Sequence, residues 1–209
     1  MPVTVCWAAK GGSGTTVVTA TFALSCSTDS LLVDLDGELP AVLGTEHPTG
    51  HGVADWLASD APTSALDDLA VALDRTTRLL PRGTRPVDPD APRWPELLDW
   101  MSRRPAVFVD AGTGPPPPAL VTDRVRSLLV TRACYLSITR AAALVVRPDG
   151  VVLVAEPWRT LRPFDIERAI GAPVVARVSH DPSIPRAVDA GLLRARVPRL
   201  LARELRGAA

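Results

Sequence analysis

Residues Val3–Ala9 are apolar except for Thr4. They run directly into Lys10-Gly11-Gly12-Ser13-Gly14-Thr15-Thr16, and a helix-compatible segment follows without a break. No other feature constrains the chain as strongly. In a strand–turn–helix junction of this kind the backbone N–H groups of the turn point inward, and the helix N-terminus adds its positive dipole end. Gly11, Gly12 and Gly14 let the backbone wrap an anion with no β-carbon in the way. A chain that opens in this manner is an α/β protein whose first turn is built to hold negative charge.

The rest of the sequence extends that pattern. Apolar runs alternate with amphipathic segments, as in βαβ units around a mostly parallel sheet. The patterning predicts strands at Val3–Ala9, Leu31–Leu35, Ala106–Asp110, Leu128–Thr131, Val151–Ala155 and Val174–Val178, with a strand end at Leu79–Pro81. Helices are predicted at Thr16–Ser27, Gly52–Ala58, Ser64–Leu73, Trp94–Arg103, Tyr135–Ala143, Pro163–Ile170, Ile184–Leu193 and Arg199–Arg206. Arg82–Pro95 reads as a surface loop. Gly112–Pro118 holds four consecutive prolines, which fit neither a helix nor a central strand. With 209 residues and no long linker, the expectation is one domain spanning 1–209, a doubly wound three-layer α/β/α sandwich.

No apolar run approaches the roughly 18–20 residues a membrane span needs, and the N-terminus has no secretory pattern. Cys6, Cys26 and Cys134 are odd in number and widely spaced in apolar surroundings. Buried thiols in a cytoplasmic protein are expected, not a disulfide frame or a metal site. His47, His51 and His180 do not form a ligand cluster by spacing, and the first two read as loop residues.

Net charge is zero but unevenly spread. Residues 1–119 carry eight basic against fifteen acidic side chains, and residues 120–209 carry fifteen arginines against eight acids. A basic face on the C-terminal half would suit DNA backbone, anionic lipid or an acidic partner; a mixed surface with both halves interleaved is the alternative. Lys10 is the only lysine beside 22 arginines, which points to a need for a compact ammonium at that position. Asp34, Asp36 and Asp110 stand at strand C-terminal ends, where α/β sheets line their ligand crevices.

Lys10–Thr16 resembles the deviant Walker A loop of the ParA/MinD family of P-loop NTPases, K-G-G-x-G-K-[ST]. Leu31-Leu32-Val33-Asp34-Leu35-Asp36 resembles its D-x-D strand, and Val107-Phe108-Val109-Asp110 its Walker B strand. Val174–Ala176, with His180-Asp181-Pro182 and Ala187–Gly191, is similar to the late strand and helix of MinD-like and CpaE/TadZ-like members. The resemblance covers nearly the whole chain. It implies a nucleotide-linked homodimer that organises chromosome partitioning, division-site or Tad pilus placement. It also implies ATP and Mg²⁺ as cofactors, with Lys10, Gly11, Gly12, Ser13, Gly14, Thr15 and Thr16 around the phosphates and Glu156 and Pro182 beside the base. Lys10 would be the signature lysine reaching a partner's phosphates, and Asp36 would orient the attacking water. Thr16, Asp34 and Asp110 would support Mg²⁺. A basic C-terminal half would offer a DNA or membrane surface; the amphipathic tail (Val197, Leu200, Leu201, Leu205) reads first as a docked terminal helix, with a membrane or DNA surface as the alternative.

The departure is Thr15, where the family has the lysine that holds phosphates in the same subunit. Losing a desolvated ammonium–phosphate contact costs roughly 2–4 kcal/mol, about 30- to 1000-fold in binding or rate. Two readings follow: weak binding with slow hydrolysis, or a non-catalytic scaffold that binds a protein partner without using nucleotide. The prolines of Gly112–Pro118, in the place of the family's switch segment, either stiffen that switch or present a surface to a partner.

Overall fold

The computed structural model describes residues 2–45, 50–196 and 199–208. In chain order the strands are β1 Val3–Ala8, β2 Ser30–Asp34, β3 Val71–Ala72, β4 Thr77–Leu80, β5 Ala106–Thr113, β6 Val125–Arg132, β7 Gly150–Ala155 and β8 Val174–Ser179. The helices are α1 Thr15–Leu24, α2 Leu39–Leu43, α3 Val53–Leu57, α4 Ala65–Leu69, α5 Trp94–Ser102, α6 Tyr135–Ala142, α7 Pro163–Ile170, α8 Ser183–Asp189 and α9 Arg199–Glu204. The strands form one sheet in the order β3-β4-β2-β5-β1-β6-β7-β8. All pairings are parallel except β3 with β4.

Helices cover both faces, so each central strand is apolar on alternate positions toward two different cores. On β2, Leu31 and Val33 join Trp56, Trp94, Leu97 and Met101 beneath α3 and α5. Leu32 faces the other way, into a cluster with Phe22 of α1, Phe108 of β5 and Leu43 of α2. On the far half of the sheet, Trp7, Leu129 and Leu153 pack against Ile138 of α6 and Ile166 of α7. Trp7 spends its one donor on Ser127 Oγ at 2.9 Å, so its indole is buried without an unpaired N–H.

Helix α1 is buried on most of its circumference. Its threonines satisfy themselves: Thr19 Oγ1 donates to the Thr15 carbonyl at 2.8 Å and Thr21 Oγ1 to that of Val17 at 2.7 Å. Phe22 stacks on Phe108 with ring centres 5.7 Å apart. These contacts fix the helix start, and so the glycine turn, against the sheet.

Several elements differ from their sequence-based bounds. The helix expected over Ser64–Leu73 stops at Leu69, and Val71–Ala72 becomes an antiparallel edge strand on β4. Asp74 Oδ1 accepts from the amides of Thr76 and Thr77, and this tight turn folds Val71–Ala72 back along β4. Leu39–Leu43 forms a short helix that the pattern did not announce, ended by Gly44 in the left-handed region. Strand β5 continues past Asp110 through Thr113, with its pairing to β1 shifted by a bulge between Cys6 and Ala8. The prolines lie beyond the strand, and Pro118–Leu120 makes a single 3₁₀ turn. All three thiols are free, but only Cys6 is fully buried; Cys26 and Cys134 are half-buried. Among the described residues no helix is long and apolar enough to cross a membrane. His47, Val197 and the side chain of Leu200 lie outside the description.

Candidate functional site

The turn between β1 and α1 has the geometry its glycines permit. Gly12 and Gly14 take φ of 76° and 94°, a left-handed backbone that a β-carbon would strain. Ser13 Oγ donates to the Lys10 carbonyl at 2.7 Å and braces the loop from within. Gly11 and Gly12 are exposed, so this part of the loop is open to a ligand. Lys10 is half-buried, and its Nζ donates to the Gly11 carbonyl at 3.1 Å. Thr15 is the first residue of α1 and is buried, so no ammonium stands where the resemblance asks for one.

Beside the loop, β2 and β5 bring two carboxylates together. Asp34 and Asp110 are register partners across the sheet, and neither is exposed at all. Asp34 Oδ1 accepts from the Gly37 amide at 2.6 Å and Asp110 Oδ1 from the Gly112 amide at 3.1 Å. In each the second oxygen is buried without a hydrogen bond inside the protein. Burial pushes Asp34 up to about 6, against the pull of the Gly37 and Leu39 amides and the Arg82 charge. Burial pushes Asp110 up to about 7, with the Thr16 hydroxyl and the Gly112 amide opposing and Asp34 and Asp36 adding to the rise. Two buried oxygens with unused lone pairs, next to a hydroxyl, are suited to a cation arriving with its own water and phosphate ligands. Thr16, Asp34 and Asp110 therefore fit Mg²⁺ of that kind. A cage made wholly of protein ligands does not form: among the described residues no three His, Cys, Asp or Glu side chains gather into one.

Asp36 lies half-buried one turn further on. Its carbonyl accepts from Arg82 Nη1 at 2.5 Å, and the same guanidinium occupies the space a side chain at Gly37 would need. Arg82 opens the segment whose composition marks a surface loop, and nothing local distinguishes it. Only its place just past the C-terminal end of β4, next to β2, puts it over the Asp34–Gly37 turn.

A cavity of about 290 Å³ opens between the loop and the far strands. Gly12, Ser13 and Gly14 line it together with Val154, Val178, Asp181, Ile184 and Arg132. Pro182 is exposed, next in sequence to the lining residue Asp181. Glu156 is buried and already engaged: Oε1 accepts from Arg132 at 2.9 Å and Oε2 from Arg159 at 2.7 Å. Burial alone would raise its pKa, but the two arginines outweigh that and hold it below the usual carboxylate range. Each oxygen thus already carries one arginine, and a base amino group would share the carboxylate with them. In the proline segment, the Gly114 amide donates to the Ala8 carbonyl at 2.8 Å, and Pro116 is buried while Pro115 and Pro118 are exposed. His51 pairs with Asp55 at 3.7 Å, and His180 meets the Trp158 edge; no histidine cluster forms among the described residues.

No protein-family model matches the chain, and no curated protein is detectably similar to it. Solved structures are a different matter. MinD of Aquifex aeolicus superposes with a TM-score of 0.79 at 22% identity, covering 99% of this chain and 98% of that one. MinD of Pyrococcus horikoshii, solved with Mg-ADP, gives 0.75 at 22% identity over 98% and 93%. The fold is that of the ParA/MinD ATPases. A ParA family ATPase of Chlorobium tepidum agrees, at 0.72 and 19% identity over 98% and 97%. Within the ParA/MinD fold, the glycine turn, the paired aspartates and the cavity all lie at one edge of the sheet, around the C-terminal end of β1, where open α/β sheets bind ligands.

Proposed function

We propose that this chain is a ParA/MinD-like ATP-binding protein that works as a nucleotide-linked dimeric organiser, with weak binding or slow hydrolysis. The observation that carries the reading is the adjacency of an open glycine turn to two buried carboxylates with unused oxygens. A turn of amides alone holds many anions. The acidic pair beside it suits a polyphosphate that brings a divalent cation.

In this reading the amides of Gly11 to Thr16 bind the phosphates, and the cavity between Gly14 and Val178 takes the nucleoside. Lys10 is the deviant Walker A lysine and serves the phosphates of its own or a partner's nucleotide. Thr16, Asp34 and Asp110 hold Mg²⁺, which when bound supplies charge neutralisation at the phosphates. Asp36, kept in place by Gly112 and Arg82, orients water toward the terminal phosphate. Positioning and charge neutralisation are most of what phosphoryl transfer asks of a protein. Two copies facing each other across the nucleotide form the working unit in the cytoplasm. The cargo is a chromosome locus, a division site or a Tad pilus machine, met through the arginine-rich C-terminal half.

Thr15 favours a second reading, a non-catalytic scaffold that meets its protein partner without nucleotide. Calorimetric titration with ATP, ADP and Mg²⁺, followed by mass measurement with and without nucleotide, separates the two. Mg²⁺-dependent binding coupled to doubling of mass supports the organiser. No heat at millimolar ATP supports the scaffold.

A further inference from the structure

Thr15 leaves the phosphate loop one cation short, yet a guanidinium stands at its mouth. Arg132 ends β6, the strand paired with β1 on the side away from β5. The β1–β6 register runs as far as Trp7 against Leu129, so β6 continues past the last pairing and carries Arg132 to the side of the sheet from which the glycine turn leaves. Its side chain borders the cavity together with Gly12, Ser13 and Gly14. Nη1 is held by Glu156 at 2.9 Å, while Nε is buried with no partner inside the protein. Glu156 is in turn held by Arg159, so the carboxylate aims Arg132 without cancelling the local positive charge. Lys10 and Arg159 both act on the half-buried Cys134 thiol. Burial raises it, but the Ser137 hydrogen bonds and these two charges bring it below the usual thiol range. Arg132 and Arg159 thus share one buried acid, Glu156.

We propose that Arg132, oriented by Glu156, is the phosphate-binding cation that replaces the lysine absent at position 15. The proposal rests on the nucleotide reading and adds to it a residue that sequence reasoning did not mark. Glu156 thereby has a positioning role, set by its two arginines, in place of base recognition. A guanidinium suits the task because its planar fork can bond Glu156 and a phosphate oxygen at once.

The test compares Mg-ATP, tripolyphosphate and adenosine by calorimetry on the wild type, Arg132→Ala and Arg132→Gln, with thermal melts as the folding check. Arg132→Ala should weaken Mg-ATP and tripolyphosphate by about 10- to 100-fold, the worth of one charge-assisted contact. Adenosine affinity should fall by a clearly smaller factor, since Arg132 also lines the cavity assigned to the nucleoside. Thr15→Lys added to Arg132→Ala should recover the lost affinity. If Arg132→Ala does not fold, Arg132→Gln, which keeps a donor for Glu156 but no charge, should show the same pattern. Unchanged Mg-ATP affinity in a folded variant would overturn the role of Arg132 while leaving the nucleotide reading intact, and so would equal losses for ATP and adenosine. A wild type that binds tripolyphosphate but not ATP, and loses it with Arg132→Ala, would retain the anion site and remove the nucleotide. Binding of neither ligand would remove both.

Discussion

Asp36 lies against the backbone of Gly112: a β-carbon built at Gly112 would fall 2.3 Å from the Asp36 carboxyl carbon. Gly112 also has φ of 64°, in the left-handed region. Strand β5, which carries both Asp110 and Gly112, thus sets where the Asp36 carboxylate sits, through contact alone. Gly112→Ala should push Asp36 out of place and strain the turn, at a cost of about 1–3 kcal/mol in stability. Mg-ATP affinity should hold within about threefold while turnover falls at least about tenfold, since Asp36 acts on the attacking water and not on the bound phosphates. Equilibrium titration and a steady-state phosphate assay on the same preparation check both halves.

Gly37 and Arg82 are coupled in a similar way. A β-carbon at Gly37 would lie 2.5 Å from the Arg82 guanidinium carbon, at a φ of 91°. Gly37→Ala should destabilise the chain by roughly 1–3 kcal/mol. Adding Arg82→Ala should remove the collision, leaving the double variant more stable than the sum of the singles by about 0.5–3 kcal/mol. Urea denaturation of all four proteins closes the cycle.

The buried pair Asp34 and Asp110 should make stability depend on pH and Mg²⁺. Both carboxyls titrate higher in the folded chain, at about 6 and about 7, than the ordinary 3.8. A raised folded pKa means the unfolded chain gives up its protons first as pH rises. Their contribution is therefore full below about pH 4 and is lost as pH climbs through about 7. Asp55, Asp74 and Glu156 have lowered values, so their opposite effect belongs below about pH 4. Between pH 5 and pH 8 without Mg²⁺, unfolding free energy should decline, each carboxyl contributing on the order of 2 kcal/mol. Asp110→Asn should flatten the curve and raise the melting temperature at pH 8. Added Mg²⁺ should stabilise the wild type and not the variant.

Thr15→Lys restores the side chain that the resemblance asks for. In the Arg132→Ala background Mg-ATP binding should tighten about 10- to 100-fold, the worth of one charge-assisted phosphate contact, with adenosine affinity unchanged; beside an intact Arg132 the gain should be smaller. An increase confined to adenosine would place the effect in the cavity wall instead of the phosphate loop.

The sequence made the glycine turn and the three aspartates legible because each depends on local chemistry: glycine for the loop, a carboxylate at a strand end for the crevice. The central strands were legible for a related reason, since a strand covered on both faces reads as a continuous apolar run. Arg82 and Arg132 were not. Each matters only because the sheet sets strands far apart in sequence side by side, β4 beside β2 and β6 beside β1. The pairing of Glu156 was hidden for the same reason, since one of its arginines comes from the neighbouring strand β6. Val71–Ala72 was lost to a helix pattern because its strand character depends on pairing with β4, which helical spacing cannot show.

The phosphate grip itself is most directly tested by a crystal structure of the chain grown with Mg²⁺ and a non-hydrolysable ATP analogue. The expected result is a triphosphate within hydrogen-bond reach of the Gly11–Thr16 amides, with the cation on Thr16 beside Asp34 and Asp110. A turn closed over its own side chains at millimolar analogue, with no nucleotide in the cavity, would contradict it.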